Sequence, residues 1–174
     1  LYWKPLTEKG EALTKAVAEL LNDADEAKVE EEKTAIRAIV EKLPYSNLSL
    51  EGWGQEDYMD RFNSPVWEEL YKPCLACGTC TFVCPTCQCY DIKDYGVQRY
   101  RCWDSCMYSD FTMMAHGNNR NSQMQRFRQR FMHKLVYYPV NNNGMFSCVG
   151  CGRCVEKCPS SLNIVKVIKA FENQ

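Results

Sequence analysis

The stretch CLACGTCTFVCPTCQCY, Cys74 to Tyr90, holds six cysteines in seventeen residues. A leaner version, CVGCGRCVEKCP, returns at Cys148 to Pro159. Cys74, Cys77, Cys80 and Cys84 are spaced CxxCxxCxxxC and precede Pro85; Cys148, Cys151, Cys154 and Cys158 repeat the spacing and precede Pro159. A pattern of four cysteines and a proline that occurs twice in one chain is an internal repeat with chemical content. Four further cysteines, Cys87, Cys89, Cys102 and Cys106, have no counterpart in the second copy.

Twelve cysteines admit three chemistries: disulfides, zinc or iron–sulfur clusters. Disulfide frameworks belong to small secreted domains. The start, LYWKPLTEKGEAL, has no basic segment followed by an apolar run, so no secretory signal is expected. Its first residue, Leu1 rather than Met, leaves open that residues precede it. Zinc sites take two separated pairs of ligands, not a tight triad with an outlying Cys-Pro. C-x2-C-x2-C-x3-C-P is the spacing that holds cubane clusters in bacterial ferredoxins. Three thiolates in a short loop wrap three corners of one cubane, and the fourth, beside the proline, serves the other cluster. The expected ligand sets are therefore Cys74, Cys77, Cys80 and Cys158 for cluster 1, and Cys148, Cys151, Cys154 and Cys84 for cluster 2. Gly78 and Gly152, each after a second cysteine, let the loops bend and bring N–H groups close to sulfide. Neither histidine follows a CxxC, so covalent haem is not expected.

The surplus thiols of CPTCQC and RCWDSC read in two ways. Cys87, Cys89, Cys102 and Cys106 either form a third site, iron–sulfur or zinc, or are small buried side chains packed round the clusters. Tyr90, Trp103 and Tyr108 nearby are expected to pack.

Along the chain, residues 8 to 43 are cysteine-free and rich in Ala, Glu, Lys and Leu. Ala12, Leu13, Ala16, Val17, Leu20 and Leu21 make an apolar helical stripe; Val29, Ile36, Ile39, Val40 and Leu43 make a weaker one before Pro44. This predicts a helical hairpin arm over 1–45. A linker with Trp53 and Tyr58 as anchors is expected over 46–65, and a dicluster domain over 66–174. Inside that domain, Met124, Phe127, Phe131 and Leu135 share one helical face, Arg126 and Arg130 another. The tail puts Ile164, Val167, Ile168 and Phe171 on one face, with Ser161 or Asn163 as cap. The expected fold is an α-rich α+β fold: a bacterial ferredoxin-like dicluster core, a long insertion from Thr86 to Ser147, and an N-terminal helical arm.

Net charge is −1, so no global field favours nucleic acid or acidic lipid. No window reaches the length of an apolar membrane span. Arg120, Arg126, Arg128, Arg130, His133 and Lys134, interleaved with Phe127 and Phe131, leave one competing function, an iron–sulfur regulatory or nucleic-acid-binding protein. Against it stand the acidic balance and the want of a binding motif. These arginines are expected to pair with a partner's carboxylates or to lie near the clusters. No flavin- or nucleotide-binding glycine motif occurs, so an enzyme acting alone is not expected.

The segments SPVWEELYKPCLACGTCTFVCPTCQCYD, RCWDSCMYSDFTMMAHGNNRN, RQRFMHKL and FSCVGCGRCVEKCP together resemble a known group. They are similar to the dicluster iron–sulfur subunits of soluble [NiFe] hydrogenases, the sulfhydrogenase beta type, and to the corresponding iron–sulfur component of anaerobic sulfite reductase. CPTCQCYD, WDSC and the second cluster motif are the most specific parts. The resemblance implies a cytoplasmic, non-catalytic electron-transfer subunit of an anaerobic oxidoreductase complex, carrying two [4Fe–4S] clusters. Its implied partners are a flavoprotein (diaphorase) subunit together with hydrogenase-like or heterodisulfide-reductase-like subunits, with no nucleic acid. Members of that group carry a larger region ahead of the first motif, and functions housed there are not carried over.

Overall fold

The computed structural model describes residues 2–172. The chain divides into two units, one ending at Asn47 and one starting at Leu48.

In the first unit, α1 runs Glu8–Ala16 and α2 Glu26–Val40. Thr7 caps α1 by accepting from the Gly10 N–H, and Asp25 caps α2 by accepting from Ala27. The apolar stripe that suggested one helix through Leu21 passes into a 3-10 turn at Ala18–Leu20. No residue of α1 or α2 is buried, and Leu13, Ile36, Ile39 and Val40 face outward.

The second unit is built round aromatic rings. Three helices meet there: α4 (Val66–Leu70), α6 (Gln123–Met132) and α9 (Ile164–Glu172), α4 packing against both others. Trp67 is fully buried at the centre. Its ring stacks on Phe131 at 6.3 Å and lies 5.0 Å from Phe171, and its Nε1–H donates to the Arg61 carbonyl at 2.7 Å. The expected apolar faces are the ones buried: Phe127, Phe131 and Leu135 from α6 onward, and Ile164, Val167, Ile168 and Phe171 from α9. The cap of α9 is Asn163, whose Oδ1 accepts from Lys166; Ser161 instead takes a left-handed φ of 50°. Trp53, from the stretch read as linker, is buried edge-on to Phe171, and α3 (Met59–Asn63) follows it.

Ser122 and Gln125 close a capping box at the start of α6. A π-helical segment, His133–Tyr137, follows, and then α7 (Tyr138–Asn141). Pro139 lies just beyond the segment; it has no N–H to give, and its ring crowds the carbonyl four residues back, which loosens the turn there. The Lys134 carbonyl, inside the segment, accepts from the Ser147 N–H at 3.1 Å, tying this helix to the residue before Cys148.

Two short helices complete the unit, α5 (Thr79–Phe82) and α8 (Arg153–Glu156). The expected insertion also contains two antiparallel hairpins. β1 (Tyr90–Tyr95) pairs with β2 (Gln98–Trp103) across Gly96-Val97, and β3 (Met113–Met114) with β4 (Gly117–Asn118). Periodicity did not reveal the first hairpin, because nearly every residue on both its faces is exposed and no apolar alternation results. Among the described residues no helix is long and apolar enough to cross a membrane.

Candidate metal centre

The two cysteine motifs fold alike. Ala76 and Gly78 have φ of 54° and 73°, and the equivalent Gly150 and Gly152 have 66° and 75°. Each motif thus turns left-handed twice between its first and third cysteines. Ala76 carries a side chain where its counterpart has none. That conformation costs an ordinary residue about 1–2 kcal/mol, and Ala76 packs against the core.

Gly78 and Gly152 lead directly into α5 and α8, so Cys80 and Cys154 lie in the first turns of these helices. Cys84 and Cys158 come just past the ends. α5 packs against α8, and this pairing exchanges the two outlying cysteines. Cys74, Cys77, Cys80 and Cys158 line one cavity. Cys84, Cys148, Cys151 and Cys154 line a second, with Cys80 on the wall between.

Hydrogen-bond donors reach the sulfurs of both cavities. At the first, Ala76 N–H donates to Cys74 Sγ at 3.4 Å and Leu162 N–H to Cys158 Sγ at 3.2 Å. At the second, Lys134 Nζ donates to Cys84 Sγ at 3.2 Å and to Thr86 Oγ1 at 3.1 Å. The Cys87 thiol, Thr86 and the Lys134 ammonium together hold Cys84 down to about 4, against the opposing effect of burial. Burial pushes Cys80 up to about 11. Cys77 is lowered by its hydrogen bond with Thr79.

The donor set fits a thiolate-held cluster. Each cavity has four cysteines round it. Arg130 is only 5% exposed, lines both cavities, and its Nε has no hydrogen-bond partner. Lys134 is 7% exposed. Two buried cations are costly unless negative charge lies beside them, and ligating thiolates supply it. Among the described residues, no three His, Cys, Asp or Glu side chains converge closely enough for one metal ion. The thiols surround spaces, as a cage of several irons requires, rather than a point.

The surplus cysteines fall into pairs. Cys87 lies against Cys84, and its proton is held more tightly for that reason. Cys89 and Cys106 lie against each other; the contact lowers Cys89 and, with burial, raises Cys106. Cys102 is on β2, opposite Asp91. The Asp104 N–H donates to the Cys89 carbonyl at 3.2 Å and fixes the end of the hairpin.

The arginines of α6 are engaged within the chain. Arg126 donates to the carbonyls of Met107, Arg120 and Asn121. Arg128 donates to the Phe62 carbonyl and lies 3.6 Å from the centre of its ring. His133 and His116 are exposed. The roles of Arg130 and Lys134 were not specified by the helical pattern. The one signal was their i, i+4 spacing beside Phe127, Phe131 and Leu135, which places them at the margin of a buried face.

Residues 73–162 match the model of the 4Fe-4S dicluster domain. Among curated proteins, the chain is 42% identical over 127 residues to sulfhydrogenase 2 subunit beta of Pyrococcus furiosus. That alignment takes in 69% of this chain and 37% of the relative, so the chain spans little more than a third of the protein it matches. No solved structure matches it. Two cysteine-lined cavities, a repeated loop geometry and a family match over the same residues lead to one assignment: the chain belongs to the 4Fe-4S dicluster domain family.

Proposed function

We propose that this chain is an electron-transfer subunit that relays electrons through two [4Fe–4S] clusters between a flavin-containing partner and another redox subunit of an anaerobic, hydrogenase-like complex. The observation that carries this reading is the exchange of outlying cysteines, Cys158 into the cavity of the first motif and Cys84 into that of the second. It supports Cys74, Cys77, Cys80 and Cys158 as one ligand set and Cys84, Cys148, Cys151 and Cys154 as the other. When bound, each cluster takes up and gives back one electron.

The residues round the cavities do the rest. Four cysteines per cavity leave no position open for a substrate, which favours relay over catalysis. The buried rings keep water from the inner side, while Cys77 and Cys151 are exposed and offer short routes outward. The partner reading leans on the likeness to a sulfhydrogenase beta subunit. On the same grounds we assign a cytoplasmic setting, residues 66–174 as the dicluster domain and 1–45 as an arm used in assembly. The nucleic-acid reading loses its footprint, because Arg126, Arg128 and Arg130 are spent on internal contacts.

Iron and acid-labile sulfide, counted per chain on protein purified without oxygen, test the proposal. About eight of each is expected, for two cubanes. Cys80→Ser and Cys154→Ser should each damage one cluster. Full iron in either variant would overturn the ligand sets.

A further inference from the structure

The two cavities are alike in cysteines and unlike in buried charge. Arg130 faces both. Lys134, one turn on, faces only the second and donates to Cys84 Sγ at 3.2 Å. Neither is in an ion pair with a carboxylate among the described residues. From this difference we infer a direction for the relay: Lys134 makes the cavity of Cys84, Cys148, Cys151 and Cys154 the higher-potential end, so electrons pass to it from the cavity of Cys74, Cys77, Cys80 and Cys158.

The inference rests on the ligand sets proposed above. Cluster potentials rise with positive charge and with hydrogen bonds to sulfur, because both favour the state that has gained an electron. Arg130 acts on both cavities and so contributes little to their difference. The first cavity has two backbone N–H donors to sulfur, from Ala76 and Leu162, but these are neutral. A charge-assisted bond is about twice as strong as a neutral one. A full charge in a low-dielectric site also acts at longer range than a dipole. Lys134 is held for this role by the π-helical segment, with its carbonyl bonded to Ser147 and its ammonium to Cys84 and Thr86.

In the transfer itself, one electron leaves the first cluster, which is oxidised, and reduces the second. No proton moves, and Lys134 keeps its charge throughout. A reduced flavin or viologen, a low-potential one-electron donor, supplies the electron, and the next redox subunit removes it.

The test is a reductive titration of the full chain with dithionite and mediators, followed by electron paramagnetic resonance. Cys77→Ser and Cys154→Ser identify the signals by deleting one each. In the unmodified chain, the signal lost in Cys154→Ser should be reduced first. Lys134→Met should lower that midpoint alone by about 59 mV or more, a tenfold change in the equilibrium between the clusters. Lys134→Arg should restore most of it, and Arg130→Met should lower both midpoints. A signal order reversed in the unmodified chain, or a gap unchanged in Lys134→Met, overturns the inference while the ligand sets stand. If Lys134→Met holds too little iron to titrate, the order in the unmodified chain decides alone. If Cys77→Ser or Cys154→Ser fails to delete a single signal, the ligand sets fall, and this inference with them.

Discussion

Gly78 and Tyr108 touch so closely that a Cβ on the glycine would stand 2.7 Å from the tyrosine Oη. The same hydroxyl donates to the Cys77 carbonyl at 3.0 Å. Ser105 Oγ closes the other side, 3.1 Å from that Cβ, and accepts from Thr81 Oγ1 at 2.8 Å. The WDSC segment therefore braces the first cluster loop directly, while Gly152, the equivalent in the second loop, has nothing within 4 Å of its Cβ position.

Gly78→Ala and Gly152→Ala should differ for that reason. Both pay about 1–2 kcal/mol for a side chain in a left-handed conformation. Gly78→Ala must in addition displace Tyr108, so it should lower the melting temperature more and lose iron from the first cavity. Equal losses would mean that Tyr108 yields without cost.

Trp67→Ala should cost about 3–5 kcal/mol, the usual range for a large buried aromatic. The ring joins α4, α6 and α9, and α6 leads to Arg130 and Lys134. Thermal unfolding of the anaerobic protein should therefore show both clusters lost together. Loss of one alone would show that the cavities are supported separately.

Cys89→Ser and Cys106→Ser should leave about eight irons per chain, because these two thiols are satisfied by each other. A count near twelve in the unmodified protein, falling in either variant, would establish a third cluster among Cys87, Cys89, Cys102 and Cys106.

Asn163→Ala should cost about 1 kcal/mol through loss of the cap on α9. Ser161→Gly should stabilise slightly by relieving a φ of 50°. Paired denaturation curves with opposite shifts would confirm that Asn163, not its neighbour, starts the helix.

The eight motif cysteines, the two core-facing helical stripes and the α9 tail were legible because each depends on short-range spacing. A cubane needs thiols a fixed few residues apart, and an amphipathic helix must repeat its apolar residues near every third or fourth position. Three features were out of reach of that logic. Trp53 lies in a stretch rich in turn residues, yet it is buried because α9 brings Phe171 to it. The β1–β2 hairpin carries no alternation, since neither face is covered. Arg130 and Lys134 belong to a polar face by sequence and are buried by what packs over them. Local spacing determined what this chain holds. Only the meeting of distant segments decided which charges face each cavity, because burial is set by neighbours that lie far away along the chain.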